Sequence, residues 1–154
     1  MSILITADTT CIIQGITGRE AVSMTRECLD YGTRIVGGVT PGRGGRDVHG
    51  VPVYDTVEEV AKKTRVDASV ISVPPAFARD AAFEAIEAGV KLLVIVTENI
   101  PRFEVAQMVE LAELRGARII GPNCLGVLSP GEAMAINLAA TLKNLPSLLE
   151  WTKN

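Results

Sequence analysis

The feature that most constrains the fold is a regular alternation of short apolar runs with longer amphipathic stretches. The apolar runs are CIIQ (11–14), RIVGGV (34–39), VPVY (51–54), ASVISV (68–73), LLVIV (92–96) and ARII (117–120). The amphipathic stretches lie at about 19–30, 56–64, 76–88 and 102–115. The apolar runs are too short for buried helices and rich in β-branched residues, so they predict strands that alternate with helices. We therefore expect an α/β fold with a Rossmann-like, doubly wound and mostly parallel sheet.

Residues that favour helix ends mark the same boundaries. Gly32, Gly89 and Gly116 each stand between a helical stretch and the next apolar run, where tolerance of positive φ ends a helix. In a parallel sheet the carboxyl ends of the strands meet at one edge, so we expect the following loops to form the ligand site. Those loops are QGITGRE (14–20), VTPGRGGRD (39–47), VPPA (73–76), VTENIP (96–101) and GPNCLG (121–126).

Size and charge exclude several classes of function. A chain of 154 residues fits one domain, and its formal net charge of -3, with acidic residues scattered along it, makes a nucleic-acid partner improbable. The start lacks a basic segment followed by an apolar core, and no apolar run reaches the roughly 20 residues of a membrane span. We expect a cytoplasmic protein without a membrane segment.

The cysteines do not predict a disulfide framework or a metal site. Cys11, Cys28 and Cys124 are an odd set without a C-x-x-C pair, and His49 is the one histidine of the chain. We expect Cys11 and Cys28 to be small buried thiols. Cys124 has no conventional base near it in sequence, so we expect a thiol beside the ligand or in the core rather than a nucleophile.

Two glycines between the first strand and the first helix suggest an anion site. Gly15 and Gly18 stand where backbone N–H groups at the positive end of a helix can bind phosphate, although a purely structural turn would show the same spacing. An NAD site would place a carboxylate at the end of the second strand, and residues 36–39 are Val-Gly-Gly-Val. NAD is therefore disfavoured, and a P-loop is excluded because its motif does not occur.

The loop after the second strand presents two arginines near these glycines. A guanidinium group binds phosphate oxygens in pairs, so Arg43 and Arg46 favour a ligand with several phosphates. A solvated surface loop without a ligand is the alternative interpretation.

Together these segments resemble one known family. QGITG, YGTRIVGGVTPGRGG, ASVISVPP, EAIEAGVKLLVIVTENIP and IIGPNCLGVLSPGE follow each other as in the N-terminal CoA-binding domain of the succinate–CoA ligase alpha subunit. The resemblance extends over residues 1–132 and implies that coenzyme A is the ligand. Residues 133–154 depart from the family, and leucines at 138, 142, 145 and 149 predict a helical tail that Pro146 would interrupt.

The resemblance also implies a set of ligand-binding residues. Thr17 to Glu20 match the glycine turn that holds CoA phosphates, Arg43 replaces a family lysine that contacts CoA, and Val96 to Glu98 match the adenosine or pantetheine path. Asn123 is expected near the thiol end. The full set is Gly15, Thr17, Gly18, Arg19, Glu20, Pro41, Arg43, Val73, Pro74, Val96, Thr97, Glu98 and Asn123.

In the family, carboxylate, CoA and a nucleoside triphosphate give a thioester of the tricarboxylic acid cycle through a phosphohistidine in a second domain. His49 lies within the CoA-domain match and cannot take that role, so we expect CoA binding without catalytic residues in this chain. An ATP-grasp beta subunit, a separate phosphohistidine domain and a second copy of the chain are candidate partners. The alternative is a stand-alone CoA-binding regulatory or interaction module. Leu125 replaces a family proline, which leaves the acyl substrate open.

Overall fold

A computed structural model describes residues 3–129 and 134–136 of the chain. Its elements are β1 (Thr10–Gln14), α1 (Arg19–Tyr31), β2 (Arg34–Val39), β3 (Asp47–Val48), β4 (Val51–Tyr54), α2 (Val57–Ala61), β5 (Ala68–Ile71), α3 (Pro75–Glu87), β6 (Leu92–Ile95), α4 (Arg102–Arg115), β7 (Arg118–Ile120), β8 (Val127–Ser129) and β9 (Met134–Ile136). Their order confirms the predicted alternation, although α2 ends at Ala61 rather than near residue 64. None of the helices described is long and apolar enough to cross a membrane.

Within these residues, seven strands form one sheet in the order β3-β4-β2-β1-β5-β6-β7. The pairs from β4 to β7 are parallel, and β3 joins the edge of the sheet as an antiparallel hairpin with β4. The Rossmann-like, mostly parallel sheet is thereby confirmed. The carboxyl ends of β1, β2, β4, β5, β6 and β7 point to one edge, as predicted.

Both faces of the sheet are covered by helices. Successive residues of a strand point to opposite faces, so Ile13 packs under α1 while Ile12 packs under α2, α3 and α4. Both isoleucines are fully buried, and each contributes about 1.5–3 kcal/mol by leaving water. Cys11 and Cys28 are buried in the core under α1, as expected. Burial raises the pKa of the Cys11 thiol to about 12, which keeps it protonated.

The described part of the chain ends in a small antiparallel pair. β8 pairs with β9 through Leu128 and Ala135, across the domain boundary predicted at residue 132. Residues 134–136 form a strand at the start of the segment predicted as a tail, and the helical character of that tail stays a prediction. The leucines at 138–149 lie outside the described residues, and the division at residue 132 stays a prediction.

The turn after β1 packs against the end of β5 without room for a side chain. Gly15 has a φ of 83°, and a Cβ atom there would overlap the carbonyl oxygen of Ser72. The N–H of Gly15 donates to the Val39 carbonyl at 2.7 Å, and the N–H of Ser72 donates to the Gln14 carbonyl at 3.0 Å. Glycine is thus required at residue 15 both for its backbone conformation and for the close approach.

We expect Gly15→Ala to lower the free energy of unfolding by about 2–5 kcal/mol, which combines a left-handed alanine with overpacking. Gly89→Ala is the matched control, because Gly89 also has a positive φ, of 92°, but open space around it. Its cost should be about 1–2 kcal/mol. Urea unfolding of the three proteins measures both values, and equal losses would contradict the packing argument.

At the opposite edge of the sheet, Asp67 fastens the start of β1. Its Oδ2 accepts hydrogen bonds from the N–H and the hydroxyl of Thr10 at 2.9 and 3.0 Å, and from the Arg65 guanidinium at 2.8 Å. Burial opposes ionisation of Asp67, but the bonds from Thr10 and Arg65 outweigh burial and lower its pKa. A folded pKa below the unfolded value of about 3.9 stabilises the protein above that pH, and the stabilisation is lost as the pH falls through the folded pKa.

We therefore expect Asp67→Asn to lower the melting temperature at neutral pH, with a difference from the unmodified protein that shrinks below about pH 4. Asp8→Asn serves as the control, because Asp8 pairs with Arg34 at 3.6 Å with its side chain 91% exposed. Calorimetry between pH 7 and pH 3 tests the prediction. A difference that stays constant over this range would show that the charge of Asp67 does not contribute.

Candidate functional site

The loops that follow β5, β6 and β7 are joined to one another at the carboxyl edge of the sheet. The N–H of Asn123 donates to the Thr97 carbonyl at 3.0 Å, and the N–H of Cys124 donates to the Ile95 carbonyl at 3.2 Å. The hydroxyl of Thr97 donates to the Val73 carbonyl at 2.8 Å. These bonds hold three of the predicted loops in contact.

The start of α1 carries backbone donors that no described residue uses. Gly18 is the N-cap residue and adopts an extended conformation, and the helix begins at Arg19. The N–H groups of Arg19, Glu20 and Ala21 have no hydrogen-bond acceptor within residues 3–129 and 134–136, whereas the N–H of Val22 donates to the Gly18 carbonyl at 2.9 Å. Such amides at the positive end of a helix bind anions.

Thr17 is directed toward the loop that follows β2. Its N–H and its hydroxyl lie 3.4 and 3.2 Å from the hydroxyl oxygen of Thr40. The N–H of Thr40 in turn donates to the Tyr54 carbonyl at 3.0 Å. Thr40 therefore connects the glycine turn to β4, and the Thr17 amide is already engaged.

Residues 41–46, named here the arginine loop, lie beside the glycine turn. The N–H of Arg43 donates to the Thr40 carbonyl at 3.0 Å, which folds the loop back toward β2. Arg43 and Arg46 are exposed, and neither forms an ion pair with another described residue. Both guanidinium groups are thus free to bind an anion.

Two clefts open on either side of the start of α1 and share Gly18, Ser72 and Val73. The first, the apolar cleft, has a volume of about 510 Å³ and is lined by Gly15, Thr17, Gly18, Pro41, Val73, Pro74, Phe77, Asp80 and Glu84, among others. The second, the polar cleft, has a volume of about 580 Å³ and is lined by Gly18, Arg19, Glu20, Val73, Val96, Thr97, Glu98 and Asn99, among others. The residues with unpartnered amides, Arg19, Glu20 and Ala21, line the polar cleft directly after the shared Gly18.

Most of the predicted ligand-binding residues line one of these clefts. Arg43 and Asn123 line neither: Arg43 stands on the arginine loop, and Asn123 is exposed above Thr97. His49 is exposed in the turn between β3 and β4 and lines neither cleft. Cys124 is partly buried and accepts a hydrogen bond from the N–H of Gly126 at 3.3 Å.

Sequence reasoning missed the wall that α3 contributes to the apolar cleft. Phe77 is 61% exposed in the first turn of α3, and Asp80 and Glu84 follow on the same helix. An Oε1 atom of Glu84 accepts the N–H of Val57 at 2.7 Å, which ties α3 to α2. The sequence signal for this wall was Phe77, an aromatic residue that directly follows a loop predicted at the ligand edge.

The described residues offer no metal centre. No group of three or more histidine, cysteine, aspartate or glutamate side chains among them is placed to hold an ion. β2 ends at Val39 and is followed by Thr40 and Pro41, so the position that an NAD site reserves for a carboxylate holds none.

Comparison with known proteins relates most of the chain to one family. The CoA binding domain family matches residues 6–99. Succinate–CoA ligase (ADP-forming) subunit alpha 1 of Archaeoglobus fulgidus is 50% identical over 135 residues, which cover 86% of this chain and 46% of the relative. The alpha subunit of Methanothermobacter thermautotrophicus is 51% identical over 129 residues, which cover 84% of this chain and 44% of the relative. The chain thus spans less than half the length of these curated relatives.

Solved structures agree on the fold. ATP citrate lyase from Methanothrix soehngenii, in complex with citrate and coenzyme A, has a TM-score of 0.79 at 20% identity and covers 93% of this chain with 25% of its own. The apo form of a dinucleotide forming acetyl-coenzyme A synthetase from Ca. Korarchaeum cryptofilum has a TM-score of 0.72 at 22% identity, over 84% of this chain and 29% of its own. Since the family match covers more than half of the sequence, the chain belongs to the CoA-binding domain family, and it resembles the succinate–CoA ligase alpha subunits.

Proposed function

We propose that this chain binds coenzyme A at the carboxyl edge of its sheet, as the CoA-binding part of an enzyme of the succinate–CoA ligase type. The observation that carries the proposal is the set of unpartnered N–H groups at residues 19–21, which line the polar cleft next to Gly18, a residue shared with the apolar cleft. An anion there accepts hydrogen bonds at the positive end of α1. Clefts on both sides suit a ligand with phosphates in its middle and uncharged groups at its ends.

The arginine loop supplies a second phosphate contact in this proposal. Arg43 is exposed and free of ion pairs with described residues, and its backbone is bonded to Thr40 beside the glycine turn. CoA carries a diphosphate and a separate phosphate on its ribose. A guanidinium group binds such a group through two parallel hydrogen bonds, which a lysine cannot do.

The apolar cleft suits the adenine ring. Pro41, Val73, Pro74 and Phe77 offer apolar surface for a flat ring, and the exposed Phe77 side chain can stack on it. Asp80 lies on the same cleft and can accept a hydrogen bond from the exocyclic amino group.

The polar cleft suits the pantetheine arm, which carries two amide groups. Ser72, Thr97 and Asn99 line this cleft and provide donors and acceptors for amides. Asn123 and Cys124 rest on the loop after β6, so the arm would bring the CoA thiol toward them. In this proposal an ATP-grasp beta subunit and a phosphohistidine domain supply the chemistry of thioester formation, and the described residues supply the CoA site.

Isothermal titration with CoA, dephospho-CoA and NAD tests the proposal. We expect CoA to bind more tightly than either of the others, and Arg43→Ala to weaken CoA binding by about tenfold or more, because a charged hydrogen bond contributes about 1.5–3 kcal/mol. Arg118→Ala is the matched control, since Arg118 is exposed at the start of β7, away from the carboxyl edge. Absence of CoA binding, or equal affinity for CoA and NAD, would refute the proposal.

Glu20 provides a second test of the phosphate position. Its carboxylate is exposed in the first turn of α1 and lines the polar cleft, so it repels a phosphate bound at the α1 amides. We expect Glu20→Gln to strengthen CoA binding about two- to fivefold at low salt, and less at high salt. Glu113→Gln, on the exposed side of α4, removes the same charge far from the site and should leave binding unchanged.

A further inference from the structure

We infer that Asp55 is a positioning residue for the proposed CoA site, because its carboxylate holds the arginine loop in the conformation that presents Arg43. The inference rests on the proposed function and adds to it a residue that has no contact with the ligand. Asp55 follows β4 directly and precedes α2. Asp55 was not among the ligand-binding residues predicted from the sequence.

The contact between Asp55 and the arginine loop is close in two respects. The N–H of Gly44 donates to Oδ1 of Asp55 at 3.0 Å. A Cβ atom on Gly44 would lie 2.8 Å from Oδ2 of the same carboxylate. Gly44, which directly follows Arg43, therefore contacts Asp55 in two ways. Its N–H group donates a hydrogen bond, and its lack of a side chain allows the close approach.

Asp55 is itself held in place by the start of α2. Its N–H donates to Oε2 of Glu59 at 3.2 Å, and the N–H of Glu59 donates to the hydroxyl of Thr56 at 3.2 Å. This reciprocal pair satisfies amides at the helix start and fixes the backbone around Asp55. The carboxylate thus contacts the loop from a backbone segment that is fixed at the start of α2.

The rest of the arginine loop is attached through backbone bonds, from Arg43 to Thr40 at its start and to Val53 at its end. The N–H of Gly45 donates to the Val53 carbonyl at 3.0 Å, and the N–H of Val53 donates to the Arg46 carbonyl at 2.9 Å. Between Arg43 and Gly45, the Asp55 carboxylate is the side chain that bonds the loop within the described residues. Arg43 keeps its own bond to the Thr40 carbonyl, so removing the Asp55 carboxylate frees Gly44, the residue that follows Arg43, and leaves the Arg43 backbone held on one side only.

The same bond leaves the two guanidinium groups of the loop without an ion-pair partner among the described residues. Asp55 directs its charge at a backbone N–H and forms no ion pair with Arg43 or Arg46. The guanidinium groups stay available for phosphate, while the loop that carries them is ordered before the ligand arrives. Binding then avoids part of the cost of immobilising a long side chain and its loop, about 0.5–1.5 kcal/mol for each such side chain.

A double-mutant cycle with CoA titrations tests this role. We expect Asp55→Ala to weaken CoA binding about three- to tenfold, and to have no further effect in an Arg43→Ala background, because Asp55 acts through Arg43. Asp55→Asn keeps an oxygen acceptor for Gly44 and should restore most of the affinity. Glu113→Ala is the control for loss of a negative charge on the surface.

Limited trypsin digestion adds a readout that does not depend on the ligand. Cleavage after Arg43 and Arg46 should be faster in Asp55→Ala than in the unmodified protein, at equal unfolding free energy, and Asp55→Asn should reverse the change. If Asp55→Ala binds CoA as tightly as the unmodified protein, the role of Asp55 is refuted and the proposed function is not. The same holds if Asp55→Ala weakens CoA binding equally with and without the Arg43 side chain. Absence of CoA binding by the unmodified protein overturns the proposed function, and this inference with it.

Discussion

The close approach of the turn after β1 to the end of β5 is the contact on which the carboxyl edge depends. Gly15 lies against the carbonyl group of Ser72, and hydrogen bonds from the same turn reach β2 and β5 at once. Because no Cβ atom separates the two segments, α1 begins directly beside the strand ends. The residues that carry its first N–H groups consequently line the polar cleft, next to Gly18, which borders both clefts.

A buried polar network beneath this turn joins the wall of the apolar cleft to β1 and β5. Gln14 is 2% exposed, its Nε2 atom donates to the Ala81 carbonyl at 2.9 Å, and its Oε1 atom accepts the hydroxyl of Ser69 at 2.7 Å. Leaving either end of a buried amide unpaired costs about 1–3 kcal/mol, so both bonds constrain where the side chain can lie. β1, β5 and α3 are thereby joined, and the wall that carries Phe77 cannot shift independently of the glycine turn.

The sequence predicted the helices and strands whose boundaries are set by neighbouring residues. Apolar periodicity and glycines at helix ends act over a few residues, and α4 begins and ends at the predicted residues. Features that depend on distant partners were missed. β3 is two residues long and exists because it pairs with β4, and Gln14 acquires its role from Ala81, 67 residues away. The glycine turn and Arg43 are visible in the sequence because their chemistry is local, whereas Asp55 and Phe77 depend on tertiary contacts.

The charges at the carboxyl edge restrict the class of ligand more than the shape of the clefts does. Glu84 and Asp80 line the apolar cleft, with Asp80 paired to Arg79 at 3.1 Å, and two carboxylates against one guanidinium line the polar cleft. A ligand with negative charge along its whole length is therefore disfavoured at both ends. Negative charge is favoured at the α1 amides and on the arginine loop, which carries the exposed Arg43. NAD shares a central diphosphate, but its ribose would find no carboxylate at the end of β2 and would face guanidinium groups instead. In the proposed mode of binding, the additional ribose phosphate of CoA is the group that the arginines of this loop would contact.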